Sequence, residues 1–391
     1  MKVLTDFGVK DPVELMDIFH KLGQEALVTI MESTSSPETR KQLRTWGAKD
    51  ASDMIGRSRS SIIALEEKGI LPLPEKDAQG RKQYSLELIN MYRDAFKTRY
   101  HRPKDTDPIV CCSLNFKGGS GKTITSLLLS QYLAIQGLKV LAVDLDPQAT
   151  FTTYFGYIPD IDLHEDETLV KTLLEDETDI SNIIKKTYFT GIDILPANLE
   201  LDSAEIELPN FSDAELQKLG SPLKRLDKAL DRIKDNYDVV IIDCPPKTGA
   251  ITVNAVASIN SCLLTIPPSM PDFASFVRLT KVLKKVFKAL KQGHIDFLRI
   301  LLTKHKGNMA ANKMDQLIRS LYGAYTLVNH MVDSAEVDNT ANALISLYEK
   351  SYATNGATYK RAIETCNNVN NEIFDAFKVI WDANTSLEKG I

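Results

Sequence analysis

The chain has 391 residues, too many for one small domain and enough for two or three units. Hydrophobic residues make up 43% and charged residues 25%, an ordinary globular composition, and no apolar run approaches the roughly 20 residues that span a bilayer. The net charge of −5 argues against nucleic acid as an average, yet 14 Lys and Arg face eight Asp and Glu between Lys41 and Lys104, so a module of +6 joins a body of −11.

The N-terminus lacks the basic-then-apolar pattern of a secretion signal, so a cytoplasmic location is expected. Cys111, Cys112, Cys244, Cys262 and Cys366 form no CxxC pair and read as small core hydrophobes. The six histidines show no ligand spacing, and no zinc site is expected.

Residues 1–40 carry one helix. Asp11 serves as N-cap, Pro12 takes the first helical position and Glu14 reaches back. Leu15, Ile18, Phe19, Leu22, Ala26 and Ile30 then form one apolar stripe. Packing on its own domain and pairing with a twin in a dimer both suit that stripe. Ser33 to Pro37 reads as a break.

Residues 41–104 begin with a short helix from Asp50 to Ile55, ended by Gly56. Ser58 or Ser60 caps a second helix that runs to Lys68 and stops at Gly69. A basic hairpin around Gly80 follows, then a third helix after Ser85. Two short helices across a Gly turn make a helix-turn-helix. Together with the hairpin, the segment resembles the winged domain of MerR-type regulators, carried by Ala51–Gly56, Glu66–Pro72 and Gly80–Ser85. Arg57, Arg59 and Ser61 fall where side chains meet a major groove, and Arg81 and Lys82 where a wing meets phosphates. A solvated charged face accounts for the same residues without DNA.

Residues 105–391 alternate strand and helix. Apolar runs at Ile109–Leu114, Val140–Val143, Ile192–Leu195, Val239–Ile242, Cys262–Ile266, Leu298–Leu302 and Leu327–Met331 predict a mostly parallel α/β sheet flanked by helices. The first run leads into Asn115-Phe116-Lys117-Gly118-Gly119-Ser120-Gly121-Lys122-Thr123, and a helix to Gln136 follows, stopped by Gly137. Strand, Gly-rich loop and helix make a phosphate cradle: loop amides and the helix N-terminus face phosphate oxygens. Lys122 reaches the β- and γ-phosphates, and Thr123 offers its hydroxyl to Mg²⁺. The nucleotide contacts expected are Lys117, Gly118, Gly119, Ser120, Gly121, Lys122, Thr123 and Ile124, with Asp144 in support and Thr303 placed by position near the base.

The loop departs from the general G-x-x-x-x-G-K-[ST] form, with Phe116 at the first Gly position and Lys117 next. Lys-Gly-Gly-Ser-Gly-Lys-Thr resembles the deviant Walker A loop of the ParA/MinD family. That resemblance implies that Lys117 reaches across a dimer to the partner's nucleotide, a role comparable to an arginine finger. Val140–Gln148 places Asp144 and Asp146 at the end of the next strand; in the family the second carboxylate positions the attacking water, which makes Asp146 catalytic beside Lys117 and Lys122. Val239–Ile242 followed by Asp243 reads as a Walker B strand, with Asp243 on Mg²⁺ through water.

An N-terminal helix, a winged helix-turn-helix and a P-loop NTPase domain over 105–391 look like the larger ParA/SopA-type partition ATPases. The resemblance implies an ATP-bound homodimer that binds DNA without sequence preference and associates with the nucleoid. It further implies stimulation by a ParB-type centromere-binding protein, and autorepression at an operator. Residues 273–295 hold no acidic side chain, and Arg278, Lys281, Lys284, Lys285, Lys288 and Lys291 line one helix side, a phosphate-tracking surface that Lys304 and Lys306 extend. The stretch Val332–Tyr348, where relatives carry DNA-contacting basic residues, has none. Three rivals stay open: a MinD-like membrane ATPase, disfavoured by an acidic tail from Asn370; a MerR-like regulator that uses nucleotide only as a ligand; and an iron–sulfur reductase subunit, which the cysteine positions do not suit.

Overall fold

Asp11 accepts the Val13 amide at 2.8 Å and starts helix α1 (Pro12–Thr34), with Pro12 in its first position. In the computed structural model the described residues are 11–34, 41–175, 179–351 and 356–388. Residues 1–42 form one unit and 43–391 a second. Within α1, Leu15 and Ile18 are half-buried, whereas Val13, Met16 and Leu22 are 70%, 54% and 46% exposed. The side chain of Ile30, the last of the expected stripe, lies outside the described residues.

The second unit opens with the small sheet β1 (Trp46–Gly47), β3 (Lys82–Tyr84) and β2 (Glu75–Lys76), in the order β1-β3-β2 and antiparallel throughout. Helix α2 (Ala48–Ile55) starts two residues before Asp50 and ends at Gly56, whose φ of +70° is the left-handed conformation that glycine adopts without strain. Ser58, rather than Ser60, caps α3 (Arg59–Glu67) through the Ser61 amide. Ser85 caps α4 (Leu86–Phe96).

The main sheet has seven strands: β4 (Ile109–Leu114), β5 (Val140–Asp144), β6 (Lys185–Lys186), β7 (Ile192–Leu195), β8 (Val239–Asp243), β9 (Ser261–Ile266) and β10 (Phe297–Leu302). Their order is β10-β9-β4-β8-β5-β7-β6, parallel except for the edge strand β6. Side chains alternate between two cores. Ile109, Cys111, Val239 and Ile241 enter one, and Val110, Cys112, Val240 and Ile242 the other. Burial on both faces is why these strands read as continuous apolar runs.

The first core takes in α5 (Lys122–Ile135), the Ala357–Glu388 helix, and Trp46, Ile55 and Tyr92 of the 41–104 segment. Polar contacts tie the same parts together. Arg93 donates to the Ile135 carbonyl, and Arg99 Nε to that of Gly137 at 2.8 Å. A Cβ on Gly137 would come within 3.0 Å of Arg99, so only glycine admits this approach. Trp381 is fully buried, stacks on Tyr100 and donates its indole N–H to the Asp107 carbonyl.

One expected strand is interrupted. Leu327 and Met331 donate their amides to the Ile300 and Leu302 carbonyls beside the bridges Ile300–Thr326 and His305–Val332, but the chain bends at Val328 and Asn329 and no continuous ladder forms. The carboxylate of Glu372 takes the amides of Val328 and Asn329 at 2.6 and 2.9 Å, which removes them from any ladder.

Candidate functional site

β4 ends at the centre of the sheet, between β9 and β8, so the loop after it opens at the carboxyl edge where the strand order reverses. Asn115 fixes the loop from both sides: its amide donates to the Thr265 carbonyl at 2.6 Å, and its oxygen accepts the Lys117 amide at 2.9 Å. Gly119 and Gly121 take φ of +72° and +85°. A Cβ on Gly121 would lie 3.3 Å from Thr303, so the loop is pressed against that residue. Thr303 donates its hydroxyl to the Ser120 carbonyl at 2.8 Å, and this bond holds the loop from outside. Asn115 was missing from the sequence-predicted set. Only its place at the strand end hinted at a role.

Lys122 begins α5 and is buried; burial pulls its ammonium below the usual lysine range, opposed by Asp243, Cys244 and Asp146. Thr123 donates its hydroxyl to Asp243 at 2.7 Å, and Ser126 adds a bond to the other oxygen at 3.2 Å. Asp144 and Asp243 lie side by side in register at the ends of β5 and β8. Burial pushes Asp144 up to about 8, helped by the Asp243 charge and opposed by Thr152, which bonds it through both amide and hydroxyl at 2.8 Å. Burial likewise lifts Asp243 to about 7, while Thr123 and Lys122 oppose the rise. The Asp243 carboxylate beside the Thr123 hydroxyl fits a hard divalent cation, whose charge would also relieve the repulsion from Asp144. Asp146 is half-buried, gives its amide to Asp144, accepts the Gln148 amide on its own carboxylate, and lies near enough to Lys122 and Asp243 to act on both electrostatically.

Two cavities flank the loop. One, of about 230 Å³, has apolar walls from Ile124, Leu128, Met331, Val332 and Ala362, with Thr123 and Thr303 at its mouth. Thr303, expected near the base, and Ile124, expected among the nucleotide contacts, both line it. Met331, Val332 and Ala362 come from parts of the chain too distant for sequence spacing to reveal. The other, about 640 Å³, has mixed walls: Lys117, Asp272, Lys304 and Lys306 line it together with Pro267, Met270 and Met314.

The basic residues expected on DNA fare differently. Arg59 is exposed at the start of α3. Arg57 is tied to the carbonyls of Gly56 and Phe96 and covers the Phe96 ring. Ser61 bonds Ser58 through its amide and its hydroxyl. Arg81 projects into solvent, although Asp77 holds its Nε. Lys82 turns inward to the buried carboxylate of Glu66, which Tyr84 and Tyr92 also satisfy. The Met270–Leu290 helix exposes Arg278, Lys281, Lys284, Lys285 and Lys288 with no ion-pair partner among the described residues, and buries Phe276, Leu279, Leu283 and Leu290. Lys304 and Lys306 are exposed and line the larger cavity.

Folding does bring two histidines together, which sequence spacing did not suggest: His305, His330 and Asp315 gather within 4.8 Å. The rings stack at 4.2 Å and 28°, so their nitrogen lone pairs run side by side instead of converging, and Arg319 already donates to Asp315. Packing and an ion pair account for this cluster.

The AAA domain family model matches residues 109–296. The protein SopA of Escherichia coli K12 is 32% identical over 370 residues, 92% of this chain and 95% of that protein. The chain belongs to the ParA/SopA-type partition ATPases. As a member it is a P-loop NTPase of plasmid or chromosome partition, and its sheet carries the corresponding loop. The sporulation initiation inhibitor protein Soj of Bacillus subtilis is 37% identical over 48% of this chain and 70% of its own length. A solved partition protein superposes with a TM-score of 0.65 at 18% identity, covering 93% of this ParA/SopA-type chain and 98% of that one, and so shares the fold beyond the AAA domain. No described helix is long and apolar enough to cross a membrane.

Proposed function

We propose that this chain hydrolyses ATP as the timer of a DNA-partition cycle. The convergence of Lys122, Thr123, Asp243 and Asp146 around one glycine loop carries the reading. ATP would lay its phosphates on the loop amides, with its base in the apolar cavity beside Ile124 and Thr303. Bound Mg²⁺ would supply positive charge to the β- and γ-phosphates; Thr123 would hold it directly and Asp243 through water. Lys122 neutralises the transferring phosphoryl group, and Asp146 orients the water. Lys117 completes the site of a second subunit, so turnover requires the homodimer.

The 41–104 segment is the operator-reading module in this proposal, with Arg59 and Arg81 as its exposed basic contacts, and residues 1–40 serve self-association. The unpaired lysine row of the Met270–Leu290 helix supports non-specific DNA binding, hence residence on the nucleoid. A ParB-type protein triggers hydrolysis and release, and operator binding represses the chain's own operon.

ATPase turnover measured with and without DNA, alongside oligomeric state in ATP and in ADP, tests the cycle. Turnover that ignores DNA in a chain that never pairs in ATP would favour a nucleotide-responsive regulator instead.

A further inference from the structure

The lysine that is to serve a partner is already engaged at home. Lys117 Nζ sits 2.6 Å from Asp272 Oδ1 of the same chain. Asp272 is the third residue of the Met270–Leu290 helix and completes its cap: its amide donates to Ser269 Oγ at 3.3 Å, and Ser269 donates its hydroxyl to Asp272 Oδ2 at 2.5 Å. One carboxylate therefore holds the lysine with one oxygen and the helix end with the other. We infer that Asp272 is a positioning residue that latches Lys117 in its own subunit until a second subunit's triphosphate draws it away. The inference rests on the trans role proposed above for Lys117.

Three features make the latch reversible. The Lys117 side chain is 45% exposed, so the pair is weak and yields to the larger charge of a triphosphate. The Lys117 amide is pinned by Asn115, so only the side chain needs to swing. Once released, the Asp272 carboxylate keeps the Ser269 hydroxyl and the positive end of a 21-residue helix, which tolerates its charge. That helix also carries the lysine row, so pairing of subunits and the DNA-facing surface meet at one acidic side chain.

Glutamine suits the third position of a capped helix as well as an acid does, so Asp272→Gln removes the charge and keeps the cap. Sedimentation of the full chain in Mg²⁺ and a slowly hydrolysed ATP analogue would measure dimer affinity for the wild type, Asp272→Gln, Asp272→Asn, Ser269→Ala and Lys117→Ala. With the latch gone, dimer affinity should rise about threefold for each subunit and about tenfold for the symmetric pair, the size expected of an exposed ion pair. Ser269→Ala weakens the cap alone and should leave affinity within about twofold of wild type. An Asp272→Gln dimer no tighter than that of wild type or Ser269→Ala overturns the latch; if that variant does not fold, Asp272→Asn is judged by the same standard. Turnover separates the two ideas. If Lys117→Ala pairs and hydrolyses ATP normally, the trans role itself fails. If it loses turnover while Asp272→Gln pairs as wild type does, only the latch fails.

Discussion

Asp146 shows how much of a site a single carboxylate can control. Among the described residues its carboxylate binds no buried hydroxyl and accepts only the Gln148 amide, unlike Asp144, whose oxygens are taken by Thr152 and the Asp146 amide. Asp146 is therefore free to hold a water, and Asp144 is spent on architecture. Asp146→Ala should bind ATP and dimerise as the wild type does, with turnover lower by about 10²-fold or more, the usual size for a lost general base or water-positioning group. A filter-binding assay beside a phosphate-release assay separates the two effects; wild-type turnover would assign the water to another residue. The loop and both aspartates were legible because each motif is continuous in sequence. Asn115, Asp272 and the cavity wall of Met331 and Ala362 were not, because their partners lie more than a hundred residues away. The same holds in reverse for Lys82: a basic hairpin predicts a phosphate contact, while Glu66, 16 residues earlier, captures the ammonium.

At the scale of elements, the lysine-rich helix behaves as its sequence suggests and the wing does not. Leucines and phenylalanines spaced by three and four bury one side of Met270–Leu290 and force the cations outward. If Lys281, Lys285 and Lys288 track phosphates, replacing all three by Ala should weaken non-specific DNA binding and flatten the slope of log affinity against log salt by about 2.7, at about 0.9 for each lost contact. An unchanged slope would move the DNA surface elsewhere. At the turn between α2 and α3 the two arginines part company. Arg57 spends its guanidinium on Gly56 and Phe96, so its loss should loosen the turn, whereas Arg59 stands free. Arg59→Ala should cost about 1–3 kcal/mol at the operator and leave random-sequence binding nearly unchanged. A gel-shift series on both DNAs would show it, and equal losses would make Arg59 a phosphate contact. Leu327–Met331 is broken as a strand for a reason composition cannot show: its ends bond to β10, while a glutamate on a distant helix takes the Val328 and Asn329 amides between them.

For the whole molecule, what matters is which parts can stand alone. Residues 43–391 contain both cores, and Trp381 near the far end packs against Tyr100, close to the segment that links the small sheet to the large one. The 41–104 segment and the main sheet therefore share one interior, with Arg93 and Arg99 bonded across them. Helix α1 belongs to the other unit and leaves Val13, Met16 and Leu22 exposed, an apolar surface that water disfavours and that a second copy could cover. A chain starting at Leu43 should consequently fold, with a melting temperature within about 4 °C of the full chain, since a small contribution to a domain this large moves the midpoint only a few degrees. It should bind ATP with unchanged affinity. What it should lose is self-association in the absence of nucleotide, and with it most operator affinity, because two half-sites would no longer be read by one joined pair. Sedimentation without nucleotide, followed by operator titration, measures both. A truncated chain that dimerises in ADP as the full chain does would return the apolar face of α1 to a purely internal role and place the nucleotide-independent contact within residues 43–391.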